Sequence, residues 1–107
     1  MGDPAVFIMS DNLICTINTS SDKAEIGNRI ALIGLSTPKP KVKFENGVTS
    51  PMQKVFESEK TLTILLIATG SGSVDTFVIN KVNGQFSNAA AGNLLGVYSS
   101  AALGTCQ

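Results

Sequence analysis

Histidine and tryptophan are absent from this chain, tyrosine occurs once and cysteine twice. Without histidine the commonest general base and the commonest metal ligand are missing, which excludes Ser–His–Asp and Cys–His catalysis and histidine-held zinc. Charge is scarce too. Charged side chains make up 15% of the sequence, against about 25% in an average soluble domain. Eight basic and eight acidic groups cancel, so the positive field of a nucleic-acid binder or of an anionic-membrane binder is missing. Long apolar runs are lacking as well. The longest, Leu62 to Ala68, falls far short of the roughly 20 residues of a spanning helix. No nucleic acid partner and no membrane insertion are expected.

What is present starts with the two cysteines. Cys15 lies near the beginning of the sequence and Cys106 next to its last residue. One reading is a single disulfide, a bond that persists in the periplasm or outside the cell and is rare in a reducing cytosol. It would enclose about 90 residues and contribute roughly 4 to 5 kcal/mol through the unfolded chain. The other reading is two separate buried thiols. A bonded pair leaves no thiolate nucleophile. The start Met1-Gly2-Asp3-Pro4 lacks the parts of a secretory leader. An exported protein is therefore expected here in mature form, periplasmic or secreted, with residues 1–4 a replaced or flexible start.

At 107 residues the chain fits one domain that buries roughly two thirds of its unfolded surface. Segments rich in Val, Ile, Phe and Thr recur at short intervals, closed by Gly, Asn, Asp, Ser or Pro. That pattern predicts an all-β, antiparallel meander. Eight strands are predicted, at residues 5–9, 13–19, 29–35, 41–45, 52–58, 61–69, 74–82 and 94–103. Asn46-Gly47 and Asn83-Gly84 suit two-residue hairpins of type I′. Asp11-Asn12 is expected to turn between the first two strands, and Gly70 to Ser73 between the sixth and seventh.

Alternation assigns faces. Lys39, Lys41 and Lys43 point one way and Val42 and Phe44 the other, which reads as a strand with a wet face and an exposed edge. Such an edge would leave a monomer or a dimer open. Leu62, Ile64, Leu66 and Ala68 share a face while Leu65 and Ile67 add apolar surface to the other, so that strand is read as central. From Ser87 to Leu103 alanines favour helix, but Gly92 and Gly96 interrupt at about 1 kcal/mol each. A short helical turn from Ser87 followed by a strand from Leu94 is expected. The last strand, pinned by a disulfide beside the second, would close the sheet into a small barrel or tight sandwich.

The chemistry is limited to carboxylates, lysines and hydroxyls. Glu57 and Glu59 on a strand would share a face about 7 Å apart, a spacing near that of glycosidase pairs. Beside Lys60 and before a turn, they read first as solvated. Asp22 and Glu25 near Asn28 offer oxygen ligands, but the spacing is not that of a calcium loop, and a cap is the plainer role. No catalytic, metal or cofactor site is assigned. For binding, the candidates are Tyr98 among small residues, Asp75 at a strand start, and Ser71 and Ser73 in the Gly/Ser loop. Core packing is the default for all six aromatics. Asn18-Thr19-Ser20 fits a glycosylation sequon.

The run Val74 to Lys81, then Asn83-Gly84-Gln85-Phe86-Ser87, Gly96-Val97-Tyr98 and the ending Gly104-Thr105-Cys106, resembles small exported bacterial β-proteins of uncharacterised function. The resemblance covers the C-terminal third and implies export and a disulfide, without any activity. In outline, closure of a small β domain by one cysteine pair is also similar to periplasmic lysozyme-inhibitor barrels, whose inhibitory motif is not evident here. The function expected is that of an exported, non-enzymatic binding or interaction module for an unknown protein or small ligand. The alternatives are a ligand-carrying barrel, an inhibitor of a foreign hydrolase acting through loops such as Ser20–Lys23 or Gly70–Ser73, and a hydrolase using Glu57 and Glu59.

Overall fold

Strands that are neighbours in the chain pair with one another, with one exception in the middle of the sequence, and the last strand returns to the first. The computed structural model describes residues 7–107. Its strands are β1 (Leu13–Ser20), β2 (Arg29–Ile33), β3 (Lys41–Lys43), β4 (Thr49–Pro51), β5 (Gln53–Glu57), β6 (Thr61–Ile67), β7 (Val74–Asn80), β8 (Gln85–Asn93) and β9 (Val97–Cys106). One 3-10 turn, Lys23–Glu25, follows β1. The sheet order is β4-β3-β2-β1-β9-β8-β7-β6-β5, antiparallel throughout. The nine strands form a nearly closed barrel. β4 and β5, the two ends of that order, are separated in the chain only by Met52. A single run, residues 49–57, thus pairs first with β3 and then with β6 and carries the chain across the seam. Met52 is buried there and donates its N–H to Pro40 O at 2.9 Å. Lys54 Nζ reaches across to Leu35 O at 2.9 Å.

The period of two decides which side chains fill the interior. Leu13, Cys15 and Ile17 of β1, Ile30 and Leu32 of β2, Val42 of β3, Leu62, Ile64 and Leu66 of β6, and Phe77 and Ile79 of β7 are all buried. Lys41 and Lys43 point outward as expected. β3 is not an edge, however, because β2 and β4 pair with it on both sides. Edge duty falls to β4 and β5, and β4 carries Pro51, a residue that edges tolerate because it has no N–H to offer. Dimerisation through a free edge at 41–45 is therefore not available. β6 is paired on both sides but lies next to the last strand of the order.

The β1–β9 ladder joins the two halves of the sheet. Cys15 stands directly opposite Cys106 in the β1–β9 ladder, and the two form a disulfide with S–S 2.02 Å. Gly104 is held by packing: a Cβ there would overlap Thr16 O of β1 and lie 2.5 Å from the Phe86 ring. A side chain at this position would push β9 off β1.

Four further expectations are corrected. Of the predicted strand 5–9, Ala5 and Val6 lie outside the described residues, and Phe7–Met9 are not in a strand. Asp11 and Asn12 accordingly do not form a hairpin; they accept hydrogen bonds from Ser36 and from Gly34 N of the β2–β3 loop. The helical turn from Ser87 is instead β8, nine residues long. Ala89, Ala90 and Ala91 pair with Thr76, Asp75 and Val74 on one side and with Ala101, Ser100 and Ser99 on the other. Two ladders of backbone hydrogen bonds outweigh a helix propensity of a few tenths of a kcal/mol per alanine. Finally, both Asn-Gly hairpins form, but not as type I′ turns. Only Gly47 and Gly84 take positive φ, +88° and +79°, while Asn46 Oδ1 accepts from Val48 N at 3.0 Å and Asn83 Oδ1 from Gln85 N at 2.9 Å. The asparagines act through their side chains.

Candidate functional site

Three rows cross the inner face of β7, β8 and β9, and they change in character from one end of the barrel to the other. Ile79, Phe86 and Gly104 form the first row, next to the disulfide. Phe77, Asn88 and Ala102 form the second, and Asp75, Ala90 and Ser100 the third. The interior thus passes from apolar to polar toward one end, the open end. There Asn88 Nδ2 donates to Asp75 Oδ1 and to Thr76 O, both at 3.3 Å.

An open cleft of about 440 Å³ lies at this end. Ile17, Ile30 and Phe44 supply its apolar part; Asp75, Asn88 and Ser100 supply polar groups from the third and second rows. Glu25, Glu45 and Arg29 also line it. Glu45 Oε2 accepts from Arg29 N at 2.7 Å and Glu25 Oε2 from Ser20 Oγ at 3.1 Å. Asp22 caps the 3-10 turn by accepting from Ala24 N at 3.0 Å, the cap role expected for it. Among the described residues, no group of three or more His, Cys, Asp or Glu side chains is placed to hold a metal ion.

Beyond the cleft β8 and β9 continue alone. Pairing with β7 stops at Ala91, and the last bonds to the β1 side are Ser21 N to Ala101 O at 2.9 Å and Ala101 N to Ser21 Oγ at 3.0 Å. Residues 92–100 form a two-stranded finger whose ladder runs to Asn93–Val97, projecting on the order of 10 Å at 3.3 Å per residue. Leu94, Leu95 and Gly96 make its tip, with Leu94 N donating to Gly96 O at 3.0 Å. Leu94 is 77% exposed, Leu95 106% and Val97 88%. Leu95 has φ +56°, the only non-glycine residue with positive φ among the described residues. An L side chain in that region costs roughly 1 to 2 kcal/mol.

The four residues singled out for binding are not brought into one site. Asp75 lines the cleft. Its partner is the Asn88 side chain. Tyr98 lies on the finger, 44% exposed, with its ring against Gly92, where a Cβ would come within 2.7 Å. Ser71 and Ser73 bond to each other at 2.9 Å in the β6–β7 turn. Core packing fails for Tyr98 and for Phe56, both exposed; Phe77 and Phe86 are buried, and Phe7 and Phe44 pack partly buried against the core. Asn18 of the sequon is exposed at a register shift of β1 against β9.

At the other end, Glu57 and Glu59 do not form a strand-borne pair, because Glu59 lies in the turn after β5. Glu57 Oε2 is 2.9 Å from Lys81 Nζ and its Oε1 3.5 Å from Lys54 Nζ. The hydrogen bond from Lys81 holds the Glu57 carboxyl below its usual range. A general acid needs the opposite shift. Asn88 and the finger leucines were missed in the sequence; the alternation Phe86, Asn88, Ala90 carries the signal for Asn88, obscured by three consecutive alanines. No family model matches this chain, and no curated protein or solved structure matches it.

Proposed function

We propose that this protein is an exported, non-enzymatic binding module that meets its target with the open end of the barrel. The observation that carries this reading is the finger. It spends exposed apolar surface and an unfavourable backbone conformation on Leu95, and no contact among the described residues repays either. Backbone outliers of this kind collect where function requires them. The disulfide supports export, as does the resemblance of the C-terminal third to small exported proteins. A carrier that holds its ligand inside the barrel is less well supported, because Leu32, Val42, Leu62, Ile64 and Ile79 fill the interior and are fully buried. A carried ligand would sit in the open cleft.

Photo-crosslinking in the host tests the reading. A photoreactive residue at Leu95 is expected to give an adduct, protein or lipid, that the same residue at exposed Val82, at the opposite end, does not give. Equal labelling at both positions, or none, would overturn it. Alkylation of the protein from its host without reductant checks export separately: two reactive thiols would remove that argument.

A further inference from the structure

We propose that Asn46 is a site of spontaneous covalent modification, converted to aspartate and isoaspartate by its own neighbour and water, while the other Asn-Gly pair, Asn83-Gly84, is protected by its packing. Asparagine is among the chemically labile residues, and a following glycine is the least hindered attacking group because it has no Cβ. The Gly47 amide nitrogen attacks Asn46 Cγ, and the side-chain nitrogen leaves as ammonia with the proton of the Gly47 N–H. Water then opens the cyclic imide at either carbonyl. Opening at one leaves aspartate in a normal main chain; opening at the other carries the main chain through the side chain as isoaspartate. No oxidant, metal or enzyme is required.

Both glycine amides are bonded in the native turns, Gly47 N to Phe44 O and Gly84 N to Asn80 O, each at 2.9 Å. Ring closure therefore waits for the turn to open, and the two turns differ in what opening disturbs. Around Gly47 there is space: a Cβ there would meet nothing within 4 Å. The strands it joins, β3 and β4, are three residues long each, and β4 ends the sheet order. Among the described residues the Asn46 side chain makes one hydrogen bond, from Val48 N. At Gly84 a Cβ would lie 2.5 Å from the Phe7 ring and 2.8 Å from Cys106 O. Gly84 O accepts from Cys106 N at 2.7 Å, beside the disulfide. Asn83 is held as well, by its N–H to Asn80 Oδ1 at 3.2 Å and by its side chain to both the amide and the side chain of Gln85.

The consequence falls on the open end. Asn46 lines the cleft with Glu25, Glu45 and Asp75, so conversion adds a fourth carboxylate there. Isoaspartate also lengthens the β3–β4 turn by one carbon and moves Oδ1, the acceptor for Val48 N, into the main chain.

The test is tryptic mapping of the folded, oxidised chain as it ages in mildly alkaline buffer, where more of the attacking amide is deprotonated. Cleavage after Lys43, Lys54 and Lys81 puts the two sites on separate peptides, Phe44–Lys54 and Val82–Gln107. Asn46 is expected to convert about tenfold faster than Asn83, the ratio set by about 1.4 kcal/mol of additional opening cost at Gly84. In chain reduced and unfolded in guanidinium the two rates are expected to converge, since both asparagines precede glycine. Isoelectric focusing of the aged protein should show an acidic form that Asn46→Ser lacks. Equal rates in the folded chain, faster loss at Asn83, a ratio that survives unfolding, or an acidic form that persists in Asn46→Ser would each overturn the proposal.

Discussion

β8 has a turn at each end, and the two are built on opposite rules. Before it, Asn83 and Gly84 do what turn residues are selected to do: Gly84 takes the positive φ, and Asn80 and Asn83 side chains cap the exposed amides of Val82, Asn83 and Gln85. After it, a leucine takes the positive φ and points into solvent. The contrast extends to the whole ends of the barrel. At the Asn83-Gly84 end, Cys106 N bonds to Gly84 O at 2.7 Å next to the disulfide, and Asp11 and Glu57 are held by Ser36 and Lys81. At the finger end there is no covalent tie, and the carboxylates have no ion pair; the only ion pairs among the described residues are those of Glu57. One end is arranged to be stable and the other is arranged at a cost to stability.

The largest break in this contrast comes from untying the fixed end. Cys15→Ala with Cys106→Ala is expected to lower stability by about 4 kcal/mol, read from urea unfolding with and without reductant. If reduction costs nothing, the tied end owes its order to packing alone. Gly104→Ala is next, at about 2 to 3 kcal/mol from the overlap with Thr16 and Phe86, read as a lower midpoint at unchanged slope. At the turns the same kind of substitution should act with opposite signs. Gly84→Ala is expected to destabilise by about 1 to 2 kcal/mol, whereas Leu95→Asn is expected to stabilise by about 0.5 to 1 kcal/mol, because asparagine tolerates positive φ and leucine does not. A destabilised Leu95→Asn protein would mean that the tip leucine packs on something within the chain.

Much of this layout was legible, and the unreadable part has a physical cause. Alternation of lysine with valine sets the faces of β3, since a slip of one residue would bury Lys41 and expose Val42, and Leu62, Ile64 and Leu66 mark the inner face of β6. The β1–β9 pairing was legible only on one of the two readings of the cysteines, the disulfide, which puts the last strand beside the one that carries Cys15. Between Ser87 and Ala102 no residue is charged, and Leu94, Leu95, Val97 and Tyr98 are the only large apolar or aromatic side chains among small and amide residues, so neither period has contrast to display. β8, the third-row group Asn88 and the finger were lost there together. The sequence places Leu94 and Leu95 in the last strand, and only the turn that in fact contains them reveals their exposure.

The smallest expected effect is a pH dependence confined to the tied end. The Ser36 hydroxyl, then the Ser36 amide, hold Asp11 below its ordinary range, and the Lys81 hydrogen bond does so for Glu57. Both depressed groups contribute stability that is present above their ordinary values of 3.8 and 4.5 and is lost as pH falls below them. Thermal unfolding should be flat from pH 7 to about 5 and decline only in acid, less steeply in Glu57→Gln. A decline that begins near neutrality would point to a group other than these two.

The β1–β9 ladder also sets the order of events in folding. Every other ladder joins strands adjacent in the chain, so hairpins can form quickly and independently, and only the closing step must bring Cys15 to Cys106 across a separation of 91 residues. Having two cysteines allows a single intramolecular connectivity. Oxidation therefore has no wrong partner within the chain, and a refolding molecule needs an oxidant but no disulfide reshuffling to reach its native barrel.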